Sequence, residues 1–475
     1  MEFMPTDFKS NFKKTYKQRM KNIIITILSL LFIGVTNAQT NPAITSWLQN
    51  TNGTKGRYYL TGNFTPITSN IEANVQLVQY STNNVYVKAT GIPSYVTGPY
   101  AIGTITTAAN NNYTFKFPLN PTPATNHTSV GNGAIAAFID GSVAFRARDA
   151  ATYKNLGQWH QNAVYFENLG FDCSHGHPGP MTSDYHQHQN PSAFDISTVP
   201  ASSICNIYLS DGLYVPDSNT HSPLIGFAWD GYPIYGSYGY SDPNDNTSAI
   251  KRIRTSYKLR NITSRTTLPN GTVAAGPAFT DFITSMLPGS TPLQAILGAY
   301  EEDFDYIANY GDLDQFNGRF CKTPEYPDGM YCYFASIDSL NNPEYPYLVG
   351  NSYYGVVAAG PPNQFTKATI NEAVTTYIPS STAVSNVNSN KIEISLFPNP
   401  SNDFIVIQSF VAVSYDRIVE LINLQGKLIR TEILRQGSTM CNINTETIYA
   451  GTYLVRVIDN NINKITTKKL EIIHK

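Results

Sequence analysis

Apolar and polar residues alternate with a period of two along much of this chain, the spacing of strands that bury one face. Val75-Gln76-Leu77-Val78-Gln79-Tyr80 and Val85-Tyr86-Val87-Lys88-Ala89 flank Ser81-Thr82-Asn83-Asn84 and predict a hairpin. Asn112-Tyr113-Thr114-Phe115-Lys116-Phe117 alternates again before Pro118 and Pro121. Two Asp-Gly pairs sit between apolar runs, the strongest short hairpin signal. Asp140-Gly141 divides 133–139 from 142–145, and Asp230-Gly231 divides 224–229 from 232–236. Pro233 places the second return strand at an edge or a bulge, because it has no N–H to give a ladder. Helical spacing is confined to 279–286 and 293–310, broken by Pro288-Gly289; aromatic, strand-like text resumes at 331–334 and 345–357. After 360 the text changes. Residues 361–390 are Ser/Thr/Asn-rich and read as a linker, and 391–475 hold about six closely spaced short strands, a small sandwich. The expected class is mainly β: a large β-rich domain with a few helices, then a small Ig-like β-sandwich.

Composition agrees, with 32 tyrosines, 32 glycines, 29 prolines and only 14% charged residues among 475. Lys21 and Asn22 lead into a short apolar run, 23–35, and Thr36-Asn37-Ala38 follow. This is the pattern of a secretory signal peptide cleaved after Ala38, with the true start at Met20. The run is too short for the roughly 20 residues of a membrane span. The expected layout is therefore 1–38 signal peptide, 39–360 main domain, 361–390 linker and 391–475 terminal domain. Residues 39–360 carry 15 Lys+Arg against 23 Asp+Glu, an acidic balance that argues against nucleic acid as a partner. Export permits disulfides. Cys321 and Cys332 flank a turn, Cys173 and Cys205 flank a histidine-rich stretch, and three pairings of these four are open. Cys441 is left over and is expected in a buried strand.

The candidate chemistry lies in that stretch. Four of the eight histidines fall in His175-Gly176-His177 and His186-Gln187-His188, on either side of a Gly/Pro-rich turn. In a strand each pair shares a face, so a fold at the turn aims four imidazoles at one point. Protonated rings there would repel; a metal ion resolves the conflict. The candidate ligands are His177, His186 and His188, with His175 as a fourth, and His221 and Asp230 completing or backing the shell. Imidazole donors suit copper or zinc, and a carboxylate with open positions suits iron. The bland alternative is a set of buried, hydrogen-bonded histidines holding a tyrosine-rich loop. Asp230-Gly231 serves equally as a plain turn. Asp312 and Asp314, after Glu301-Glu302-Asp303, make an oxygen-rich block suited to calcium, although Phe316 breaks the EF-hand spacing. Tyr232, Tyr235, Tyr353 and Tyr354 are candidates to stack on sugar rings. There is no Gly-x-Ser-x-Gly elbow.

Two resemblances cover most of the chain. Leu396-Phe397-Pro398-Asn399-Pro400, Asn423-Leu424-Gln425-Gly426-Lys427 and Gly451-Thr452-Tyr453-Leu454-Val455 resemble the sorting domain of the type IX secretion system of Bacteroidetes. That resemblance implies export to the cell surface or beyond, with the secretion machinery as partner. Phe171-Asp172-Cys173, Gly176-His177-Pro178, Tyr185-His186-Gln187-His188, 221–236, 311–320 and 323–329 resemble the YHYH-domain family. Gln187 departs from the naming motif, but its side chain points away from its neighbours in a strand. The resemblance identifies a domain and leaves its chemistry open. Two functions remain: a secreted metal-binding protein, with hydrolytic or oxidative activity if catalytic, or a non-catalytic extracellular binding or adhesion module. Glycans or small molecules are candidate partners of either.

Overall fold

The computed structural model describes residues 41–60, 67–100, 107–172, 174–179, 182–191, 216–358, 365–379, 394–409, 413, 415–423, 426–459 and 464–474. The expected signal segment and Cys173 and Cys205 lie outside these residues.

The main domain is built on an eight-stranded mixed sheet. Its strands are β1 (Ala134–Phe138), β2 (Val143–Phe145), β3 (Gly176–Pro178), β4 (Tyr185–Gln187), β5 (Leu224–Ala228), β6 (Pro233–Tyr235), β7 (Gly318–Cys321) and β8 (Met330–Phe334). They lie in the order β3-β4-β2-β1-β5-β6-β8-β7. A four-stranded sheet holds Val75–Tyr80, Asn84–Ala89 and Tyr113–Pro118. The alternation in Tyr113–Pro118 appears as strict burial of every second residue, Tyr113, Phe115 and Phe117. Aromatic rings fasten this sheet to the large one. Phe117 lies 5.4 Å from Trp229 and 6.0 Å from Phe227, and Trp47 contacts both Phe117 and Phe227 at 5.5 Å.

Both Asp-Gly turns form where expected. Gly141 has φ +83°, and a Cβ there would fall 2.5 Å from the Cβ of Ala89, so side-chain-free backbone is required twice over. Gly231 (φ +86°) meets Pro118 in the same way. Both turns thus press against the four-stranded sheet.

Four expectations need correction. Of the two places expected for Pro233 the edge is wrong, since β6 lies between β5 and β8, while the bulge is present: the β5–β6 register shifts between Leu224 and Gly226. Pro233 is tolerated as the first residue of β6, because the ladder to β8 begins only at Ile234. The helices expected over 279–286 and 293–310 do not form. Phe282–Ile283 pairs with Leu293–Gln294, Glu301–Asp303 is a single 3₁₀ turn, and Phe304–Tyr306 pairs with Tyr257–Leu259. The buried Arg265 explains much of this. Its guanidinium donates to the carbonyls of Pro277, Ala295 and Ile296 and to Asp303, so carbonyls a helix would need are satisfied across the chain. Residues 345–357 make isolated bridges, Ser352 to Ser129 and Gly355 to Pro123, in place of a strand. There the side chains of Asn317 and His127 meet the carbonyls of Leu348 and Tyr353. Finally, part of the expected linker is ordered on the main domain. Thr375–Tyr377 joins Val75–Tyr80, and Phe365 stacks on Trp229 at 5.5 Å.

The terminal region is a sandwich of two sheets. One holds Ile394–Phe397, Phe404–Ser409 and Met440–Asn444; the other holds Arg417–Asn423, Leu428–Leu434, Gly451–Asp459 and Lys464–Ile472. It has its own core, with Ile405, Ile407, Val419, Leu421, Val455 and Val457 fully buried. Among the described residues no helix is long and apolar enough to cross a membrane.

Candidate metal centre

The histidine turn folds as the alternation predicts, with one exception. β3 and β4 pair antiparallel with His177 directly opposite His186, which puts both rings on one face. His188, two residues on, shares the face of His186. The ring centroids stand 4.7 Å (177–186), 5.0 Å (186–188) and 6.0 Å (177–188) apart. His175 is the exception. It precedes the strand in a left-handed conformation (φ +60°), so strand alternation does not reach it.

The fourth member of the group is one that sequence reasoning missed. Glu167 follows the four-residue helix Ala163–Phe166, its N–H capping Ala163. The side chains of Glu167, His177, His186 and His188 are all buried, and each offers a ligand atom within 4.8 Å of the others. Glu167 Oε2 lies 3.1 Å from His177 Nε2 and 3.5 Å from His188 Nε2. Two ligands on one ion at roughly 2.0–2.2 Å would stand about 3–3.5 Å apart, so these spacings already match a coordination edge. The only hint in sequence was a carboxylate among apolar neighbours, Tyr165-Phe166-Glu167-Asn168-Leu169, with no spacing motif to flag it.

Hydrogen bonds fix the tautomers. His186 Nδ1 faces the carbonyl of Asp184 at 2.9 Å and His188 Nδ1 that of Arg146 at 2.6 Å. A carbonyl only accepts, so both Nδ1 atoms carry hydrogen, and in the neutral ring Nε2 is the nitrogen left with a lone pair for a metal. His177 Nδ1 and Nε2 and His188 Nε2 are buried without an aligned hydrogen-bond partner. Orphaned nitrogens in a dry site cost free energy unless something engages them. Phe145 stacks on His186 at 3.9 Å, and Phe171 stands edge-on to His177 at 4.9 Å, walling the group with apolar rings.

Electrostatics follow from that enclosure. Burial depresses the His186 imidazole well below its ordinary value, and the neighbouring His177 and His188 charges add to the effect. For Glu167 burial acts upward, but contact with and charge on His177 and His188 outweigh it and hold the carboxyl well below the usual range. Asp149, beside Glu167, goes the other way. Burial, then the Glu167 charge, pushes it up to about 7. Burial acts downward on His188, but contact with Glu167 and its charge outweigh it and raise that imidazole. The firm carboxylate and the neutral His186 are thus in the states a metal needs, and His188 would give up its proton on binding.

The back of the hairpin is an anchor. Asp172 accepts the N–H groups of Ser174, Gly176 and Gly98 and the hydroxyls of Ser174 and Tyr185. Gln187 points to this side, as expected, and donates to Tyr95 at 2.8 Å.

The other sequence candidates lie outside the group. His221 donates from Nδ1 to the Ser222 carbonyl and packs against Tyr235 and Tyr240. Asp230 is buried at its turn, where Tyr333 Oη and the N–H of Gly355 occupy Oδ2. Asp312 is held by Lys251 and the N–H of Arg254; Asp314 accepts Tyr331 and the N–H groups of Phe316 and Gly318. Their oxygens are spent on the fold, which overturns the calcium expectation. Tyr232, Tyr235 and Tyr353 are buried and present no face to a sugar. Cys321 and Cys332 are free thiols: in the β7–β8 register Cys321 faces Met330 and Cys332 faces Arg319, leaving the pair diagonal. Cys441 is also free, half-buried in Met440–Asn444.

Residues 395–473 match the secretion system C-terminal sorting domain, which makes this a secreted protein, delivered to the cell surface by the type IX system. Residues 114–344 match the YHYH protein family, so the chain carries a YHYH domain followed by a type IX sorting domain. No curated protein matches the chain. Among solved structures it is similar to PorZ, an essential bacterial surface component of the type-IX secretion system of Porphyromonas gingivalis. Identity is 12% and the TM-score 0.16, over 83% of this chain and 59% of that one. The match thus spans less than two thirds of that protein's length.

Proposed function

We propose that this protein binds one divalent transition metal ion outside the cell through Glu167, His177, His186 and His188. The observation that carries the reading is the convergence of four buried ligand atoms, with Nδ1 of His186 and of His188 tied to carbonyls so that Nε2 is the nitrogen each turns to Glu167. Three imidazoles and one carboxylate are borderline-to-hard donors, which favours zinc, copper(II) or iron(II) over copper(I). His175, His221 and Asp230 drop out of the ligand set. If the ion is four-coordinate, these side chains close it and it clamps the hairpin to the 163–170 segment. With five or six positions, water or dioxygen would have a place to bind and be activated.

The rival, an adhesion module with structural histidines, draws on the same carbonyl contacts of His186 and His188. Elemental analysis of the full-length protein after dialysis against metal-free buffer separates the two. The metal reading expects about one equivalent per chain, lost in His177→Ala and His186→Ala and kept in His127→Ala. Wild-type protein that retains no metal, and takes up none on titration with zinc, copper(II) or iron(II), would falsify it. X-ray absorption on the loaded protein then counts ligands and decides between clamp and open site.

A further inference from the structure

A cavity apart from the histidine group has a chemistry of its own. It measures about 400 Å³ and is walled by residues that include Tyr257, Phe304, Tyr306 and Phe316, with none of the four metal-site side chains among them. We propose that it binds a neutral saccharide.

Charge argues first. The cavity's two carboxylates are already engaged. Glu301 is gripped by Arg146 through two contacts, 3.0 and 2.6 Å, with Arg148 at 3.6 Å. Glu302 accepts the backbone N–H and ring of His160 at 2.7 and 2.6 Å. The arginines are consumed by Glu301 in turn. A cationic ligand would need free carboxylate and an anionic one free guanidinium, and neither is on offer.

Spare hydrogen-bonding capacity argues second. The Gln315 amide, the Ser352 hydroxyl and the Tyr306 hydroxyl make no hydrogen bond within the described protein. His127 is fixed through Nδ1 to the Tyr353 carbonyl at 3.0 Å, which leaves Nε2 unengaged. Donors and acceptors without net charge, beside aromatic rings, suit the hydroxyls and the C–H face of a sugar ring.

The wall is also set in advance. Phe304 stacks on Tyr345 at 4.4 Å and 12°, His127 packs on Phe316 at 4.3 Å, and Tyr257 Oη is tied to the Gln315 carbonyl at 2.7 Å. Preformed walls reduce the ordering cost of binding. The volume falls within the roughly 300–1,000 Å³ of small-molecule sites.

The test uses the full-length protein and soluble hexasaccharides of β-1,4-glucan, β-1,3-glucan, xylan and mannan, with polygalacturonate and choline as charged comparators. Calorimetry should detect binding of at least one neutral oligomer and of neither comparator. Tyr306→Ala and Gln315→Ala should each weaken it about tenfold, with unchanged thermal unfolding because Gln315 is exposed and Tyr306 half-buried. His186→Ala should leave saccharide affinity intact, so failure of the metal reading does not touch this one. Absence of binding to all four neutral oligomers, preference for choline or polygalacturonate, or indifference to both cavity substitutions overturns the proposal.

Discussion

At the scale of single residues, burial decides what each acid or base does. Asp230 illustrates this away from the metal group. Its carboxyl is pushed up from 3.8 to about 6 by burial, against the lowering pull of the Tyr333 hydroxyl and the Gly355 N–H. The folded state then keeps a proton that the unfolded chain releases near pH 4. Stability from this group is full below that value and is lost as pH rises through 6. Two units correspond to about 3 kcal/mol. Asp230→Asn removes the titration, so the stability of the variant relative to wild type should shift in its favour by about that amount between pH 4 and pH 7.5. Urea unfolding at the two pH values measures it, and parallel pH dependence in both proteins would refute the assignment. Sequence offered Asp230 as half of a turn or as a residue completing the histidine shell; its protonation depends on burial and on Tyr333 and Gly355, more than a hundred residues away.

At the scale of elements, the hairpin Gly176–Pro178 with Tyr185–Gln187 carries the candidate site. Much of it was legible: two His-x-His pairs, a Gly/Pro turn, and period-two geometry that put His177, His186 and His188 on one face. His175 was misread because alternation holds only inside a strand, and its φ of +60° lies before the strand begins. Glu167 was illegible because it comes from a separate helical turn, and no local pattern relates it to histidines ten or more residues on. Gly176 tests how far the element positions the ligands. A Cβ there would sit 2.5 Å from Tyr185 Oη and 2.6 Å from its Cζ, and that hydroxyl is tied to Asp172. Gly176→Ala should therefore displace Tyr185 and splay the strands. We expect metal affinity to fall about 10–100-fold with every ligand intact, the usual effect of disturbing ligand support. Competition with a chromophoric chelator reads this out, and wild-type affinity in the variant would show that the hairpin does not position the ligands.

At the scale of the whole molecule, a large β domain and a sorting sandwich divide the work. Their hydrophobic cores are distinct sets of residues, so the sandwich should be dispensable for the site and indispensable for export. A chain ending at residue 393 should accumulate inside the cell envelope, lose its extracellular fraction, and keep the metal content of the full-length protein. Fractionation with elemental analysis of both forms checks this. An undiminished extracellular fraction would contradict the role of the tail, and lost metal would contradict the independence of the site.

The division between sequence and structure follows from the range of the interactions. Alternation, Asp-Gly turns and the tail motifs are local, and by themselves they determined the β class, the two-part layout, the secreted fate and the face shared by three histidines. What joins those histidines to Glu167, turns Asp312 and Asp314 into fold contacts, replaces the expected helices with Arg265-pinned turns and leaves a cavity beside Phe316 is long-range. Each depends on side chains that meet only after the sheets have packed, because burial, charge pairing and hydrogen-bond partners are properties of neighbours in space.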